Sequence, residues 1–167
     1  MLNGVCMGDR GCSDTGPILH LKEVESISLL KLFSQIFISV IVKEELFRYN
    51  VKSLPKNIKI NEINNDQVIL LSRKYDLDIG ESSILWLCRA LGIPLILTDD
   101  LNAREVASDL EIKVVGTIGI ITRCFREKII SKEKAVTILK KIHDNSSLFI
   151  TAELINYVIK EIKQFKN

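Results

Sequence analysis

Pro94-Leu95-Ile96-Leu97-Thr98-Asp99-Asp100-Leu101-Asn102-Ala103-Arg104 decides how the chain is read. A short apolar run, enough for one buried strand, leads straight into two adjacent carboxylates and then into a helical pattern. In an open α/β sheet, ligands bind at the carboxyl ends of the strands, where loops turn into helices. Acids at such a position are working residues in the simplest reading. The rest of the chain is then read for other strand ends that deliver acids to the same place.

Downstream, Leu101 to Leu110 reads as a helix, Lys113-Val114-Val115 as a strand, and Gly116-Thr117-Ile118-Gly119 leads into a helix through Phe125. This Gly-x-x-Gly lacks the third glycine and the later acid of a dinucleotide fingerprint, and no Gly-Lys-Ser/Thr phosphate loop occurs. Upstream, Asp76 to Ser83 introduces a helix whose apolar face is Ile84, Leu85, Leu87, Cys88 and Leu91, stopped by Gly92. Val68, Leu71 and Tyr75 recur at helical spacing between Ile63 and Leu77. Residues 50–61 read as a polar connector around Pro55. Ile36-Phe37-Ile38-Ser39 is a short strand, followed by a helix carrying Glu44 and Glu45. Ser13-Asp14-Thr15-Gly16-Pro17 is a turn with Pro at a helix start, and short helices are expected over Ile18–Val24 and Ile27–Phe33. Residues 1–11 are weakly patterned, and Leu2 to Cys6 makes a poor first strand before Asp14. The alternation of strands and helices predicts a parallel sheet with crossover helices. Two amphipathic helices close the chain over residues 131–165, one lined by Ala135, Val136, Leu139 and Ile142, the other by Leu154, Ile155, Val158, Ile159, Ile162 and Phe165.

The 167 residues are expected to form a single domain, with 47% apolar and 26% charged side chains. A net charge of +2 is too small to mark a nucleic-acid binder, so any basic footprint is local. The most apolar zone, Ile27 to Val42, is interrupted by Lys31, Ser34 and Gln35 and is too short and polar to span a bilayer. No secretory pattern opens the chain. A cytoplasmic protein is expected. Cys6, Cys12, Cys88 and Cys124 show no zinc spacing; Cys88 and Cys124 read as core residues, and a Cys6–Cys12 disulfide has only proximity behind it. His20 and His143 lie in no motif and are not expected to act in catalysis.

Each acid taken singly has a structural explanation. Asp14 is a natural helix cap, and Glu44, Glu45 and Glu81 suit helix first turns. Taken together they form a series: Asp14 after the first strand, Glu45 after the second, Glu81 opening a later helix, and Asp99-Asp100 ending a later strand. Converging carboxylates repel one another, and a divalent cation removes that penalty. An all-oxygen site of this kind suits Mg²⁺ or Mn²⁺, which can activate water and stabilise a phosphoryl group in transfer.

Ser13-Asp14-Thr15-Gly16-Pro17, Gly80-Glu81-Ser82-Ser83-Ile84, Leu97 to Arg104 and Val115 to Ile120 resemble, in order and spacing, the signature segments of PIN-domain proteins. The resemblance covers residues 12–165 and is greatest to a prokaryotic branch related to VapC-type toxins. It implies a three-layer α/β/α fold with a central parallel sheet of four or five strands, and metal-dependent cleavage of RNA. Carried across, Asp14, Glu45, Glu81 and Asp100 would be catalytic and hold the metal. Asp99 falls at a more variable position and would join the acids that hold the metal or support them from behind. Thr15 and Thr98 would orient the carboxylates. Glu45 is chosen over Glu44 because an apolar residue follows it. Lys43, Arg48, Arg89 and Arg104 flank the acids and are candidate phosphate contacts, although a solvated surface role is the simpler reading. The partners implied are an RNA substrate, a cognate antitoxin protein and, from the apolar C-terminal helices, a second copy of the chain. A catalytically silent PIN-fold RNA-binding or assembly module is the alternative. A receiver-like or phosphatase-like use of Asp99-Asp100 fits less well, because such folds place their acid after an apolar first strand.

Overall fold

A computed structural model describes residues 8–165. Five strands form one all-parallel sheet in the order β3-β2-β1-β4-β5. They are β1 (Arg10–Ser13), β2 (Gln35–Ser39), β3 (Ile58–Asn61), β4 (Leu95–Leu97) and β5 (Lys113–Val115). The helices are α1 (Thr15–Glu23), α2 (Val40–Arg48), α3 (Asn65–Tyr75), α4 (Ile79–Leu91), α5 (Leu101–Asp109), α6 (Thr117–Arg126), α7 (Lys132–Asn145) and α8 (Ala152–Gln164), with a 3₁₀ helix over Ile27–Leu32. They flank the sheet in the expected three-layer α/β/α arrangement.

The chain walks outward from β1 through β2 to β3, then returns to β4 and walks outward the other way to β5. Strand order therefore reverses beside β1, and the crevice at the carboxyl ends of β1 and β4 is the switch point where such sheets bind ligands. The core behind it holds Ile36, Ile38, Ile84, Leu85, Ile96 and Leu97, all buried. α4 lies along β1, β2 and β4; α6 packs on α1 and the 3₁₀ helix, and α7 and α8 stack behind it. In α7 and α8 the inward positions are Ala135, Ile138, Leu139, Ile142, Ile155, Ile159 and Ile162, whereas Leu154 and Phe165 stay exposed.

Two expectations change. The connector over residues 50–61 contains a strand, β3, pairing Ile36 with Ile58 and Ser39 with Asn61. It is an edge strand with one neighbour, so it needs few apolar residues and has few. The central strand is Arg10-Gly11-Cys12-Ser13, later than Leu2–Cys6, which lie outside the described residues, as does Cys6 of the suggested disulfide. Small residues suffice at the centre because β4 fills the space: a Cβ on Gly11 would stand 3.4 Å from Leu95 Cδ2. Cys88 and Cys124 are buried, as read. No helix among the described residues is long and apolar enough to cross a membrane.

Candidate carboxylate centre

The backbone N–H of Asp14 donates to Leu97 O at 2.9 Å, extending the β1–β4 pairing by one residue and setting Asp14 beside Thr98. Asp14 then caps α1, accepting the Thr15 N–H at 2.7 Å, and its other oxygen receives the Thr98 hydroxyl at 3.3 Å. The same Thr98 oxygen accepts the Asp100 N–H at 3.2 Å, and Asp100 caps α5 through the Ala103 N–H at 2.8 Å. Thr98 thus ties the acids of two strand ends to one hydroxyl.

Glu45 and Glu81 arrive from helices. Glu44 points to solvent while Glu45 is half-buried and takes the Thr15 hydroxyl on Oε2 at 2.5 Å. α4 begins with a capping box: the Glu81 N–H donates to Asp78 Oδ1 at 2.7 Å, and the Asp78 N–H returns to Glu81 Oε2 at 3.1 Å. Gly80 lies between these groups. A Cβ there would stand 2.7 Å from Glu45 Oε1 and 3.3 Å from Asp78 Oδ1, so the missing side chain is what lets Glu45 reach the start of α4. Three helix N-termini, those of α1, α4 and α5, therefore begin at the acids, and their partial positive charge favours carboxylates.

That field does not cancel the crowding. Burial first, then the charges of Asp78 and Glu45, push the Asp14 carboxyl up from its usual 3.8 to about 6, against the opposing bonds from Thr15 and Thr98. Burial, followed by Asp78, Asp100 and Asp14, raises Glu81 from 4.5 to about 7. Asp14, Glu45, Glu81 and Asp100 are thus brought together, with Thr15 and Thr98 bonded among them. Asp78 is an acid the sequence reading passed over. Its signal was present in the Asp78-Ile79-Gly80-Glu81 capping pattern.

Asp99 faces the other way. Its oxygens accept the Thr117 N–H at 2.7 Å, the Thr117 hydroxyl at 2.5 Å and His20 Nδ1 at 2.8 Å. Burial alone would raise its pKa, yet these donors hold it below the usual carboxylate value. Asp99 thereby ties α1, α6 and the loop after β4 together. Arg104 donates to the Thr98 carbonyl at 3.2 Å and is half-buried beside Asp99. Lys43 and Arg48 are exposed around Phe47, Leu54 and Ile60. Arg89 lies near Pro94 and Ile112, which precede β4 and β5, so it sits at the opposite end of the sheet from the acids.

The family model for the PIN domain matches residues 11–164. The chain belongs to the PIN-domain family. No curated protein matches it. PIN domains are generally nucleases and typically use divalent metal ions.

The donor chemistry fits such an ion. Four carboxylates supply only hard oxygen donors, and Glu45 Oε1, Glu81 Oε1 and Asp100 Oδ2 have no bonded partner among the described residues. As the side chains lie, no group of three or more His, Cys, Asp or Glu among the described residues is arranged to hold an ion. Glu45 and Glu81 are turned to Thr15 and to the Asp78 N–H, bonds that a rotation of either side chain would release.

Proposed function

We propose that the protein is a metal-dependent ribonuclease in which Asp14, Glu45, Glu81 and Asp100 hold Mg²⁺ or Mn²⁺. The observation that carries this reading is the convergence of these acids at the switch point, where burial and mutual charge raise Asp14 and Glu81. A structural role would be served as well by Ser or Asn caps without the crowding. When bound, a divalent ion supplies an activated water and offsets charge on the phosphoryl group. The chain's own part is positional: Thr15 directs Glu45, and Thr98 joins Asp14 to the Asp100 backbone. Within this reading the protein is the toxin of a toxin–antitoxin pair acting on cytoplasmic RNA. The exposed Leu154, Tyr157 and Phe165 around α8 support a protein partner, an antitoxin or a second copy.

The test is cleavage of mixed single-stranded and structured RNAs with Mg²⁺ or Mn²⁺, against EDTA and against Asp100→Ala. Cutting that both controls abolish is the expected result. A folded protein that neither cuts nor binds metal would favour the silent RNA-binding or assembly module, a reading encouraged by the way every acid already serves a cap or a hydroxyl.

Gly80→Ala gives an independent check. The new Cβ would strike the carboxylate end of Glu45 and press on Asp78 Oδ1 at 3.3 Å, a strain that the helix preference of Ala over Gly, roughly 0.5–1 kcal/mol, offsets. Thermal stability is expected to hold or rise slightly while Mn²⁺ affinity and cleavage fall about tenfold, as when a ligand's support is lost. Parallel melting and metal titration would show the split.

A further inference from the structure

The surroundings of Asp99 are built for it from two sides. Gly116 caps α6 with no side chain of its own. A Cβ at Gly116 would stand 2.6 Å from Asp99 Oδ1, so the Asp99 carboxylate fills the place of the missing cap and takes the Thr117 N–H from another element. On the other side, a Cβ at Gly16 would meet His20 Cε1 at 3.3 Å and Asp99 Oδ2 at 3.5 Å. His20, buried on α1, brings Nδ1 to 2.8 Å from Asp99 Oδ2. An ionised carboxylate only accepts, so Nδ1 carries the proton.

This gives the acid loop 98–100 a second tie to α1. The first is Thr98 to Asp14, a single hydroxyl at 3.3 Å. The second is the shorter His20–Asp99 bond, from the same helix that Asp14 caps. With the Asp14 N–H to Leu97 O bond they constrain how far Asp100 stands from Asp14. We infer that His20, acting through Asp99, is a positioning residue for the carboxylate centre, locking the loop that presents Asp100 against the helix that presents Asp14. The inference rests on the metal reading above. His20 touches none of the four acids; it acts on the loop that carries one of them.

The experiment is Mn²⁺ titration by calorimetry on the full chain, with melting curves, for wild type, His20→Leu, His20→Asn, His20→Gln, Asp99→Asn and His20→Leu/Asp99→Asn. Asn places an amide donor near the position of Nδ1, whereas Gln places it near Nε2. His20→Leu and His20→Gln are expected to bind Mn²⁺ roughly tenfold more weakly, the usual cost of losing a group that supports a ligand, with His20→Asn close to wild type. The double variant should be no weaker than the weaker single one, because both remove the same tie. If His20→Leu does not fold, the Asn–Gln contrast decides. Variants that melt lower but bind Mn²⁺ like wild type would reduce His20 to a packing residue and overturn the inference alone. A wild-type protein that binds no Mn²⁺ would overturn the metal reading and this inference with it.

Discussion

Asp14→Asn is expected to melt above the wild type in EDTA and to lose RNA cleavage by at least about a hundredfold, the scale of several kcal/mol of metal-borne stabilisation. Asn caps helices as well as Asp, so the Thr15 N–H keeps its partner. The Thr98 hydroxyl can still bond the amide oxygen or accept from the amide nitrogen. What leaves is one negative charge that burial, Asp78 and Glu45 all disfavour. Each kcal/mol regained raises the melting temperature of a domain this size by about 2–4 °C. Melting curves and cleavage rates on the same preparations check both halves. A variant that melts lower and cuts normally would make Asp14 a structural cap and nothing more.

Stability in EDTA should fall as pH rises from about 4 to about 8. Asp14 and Glu81 hold their protons more tightly folded, at about 6 and about 7, than unfolded, near 3.8 and 4.5. Their contribution is complete below the unfolded values and is lost as pH climbs through the folded ones. For Asp14 the loss is on the order of 2–3 kcal/mol. Glu81 is more open to solvent and contributes less, because screening weakens its repulsions. Asp99 works oppositely and lower: held below its usual value, it stabilises the fold above pH 3.8 and surrenders that stability on acidification. Chemical denaturation at pH 5 and pH 8 reads the slope, and saturating Mn²⁺ at pH 8 should restore most of the difference. A flat profile in EDTA would mean that the acids stand farther apart in solution than here.

The fold and the acid set were largely legible because the later motifs join a hydrophobic pattern to an unusual polar ending. Leu95 to Asp100 shows a strand and its working end in six residues. β3 was hidden because Asn57-Ile58-Lys59-Ile60-Asn61 has only two apolar residues, and an edge strand with one neighbour demands no more. β1 was displaced because its space is filled by Leu95 and Leu97 from β4, information absent from its own residues. The bond between Asp99 and His20 was not legible, for one reason. It depends on the room left at Gly16 and Gly116, which lie far from Asp99 in sequence and close to it in space.

Asp14 and Asp100, two of the four acids proposed to hold the metal, are also the caps of α1 and α5. Serine or asparagine would cap equally well and relieve the repulsion. On the nuclease reading, one substitution at either cap would end the chemistry and keep, or even raise, folding stability. The reverse step is as short, since a single base change can turn an asparagine codon into an aspartate codon within a scaffold already shaped to receive the charge. On that reading, cleavage could be lost or regained at these caps without passing through an unfolded intermediate.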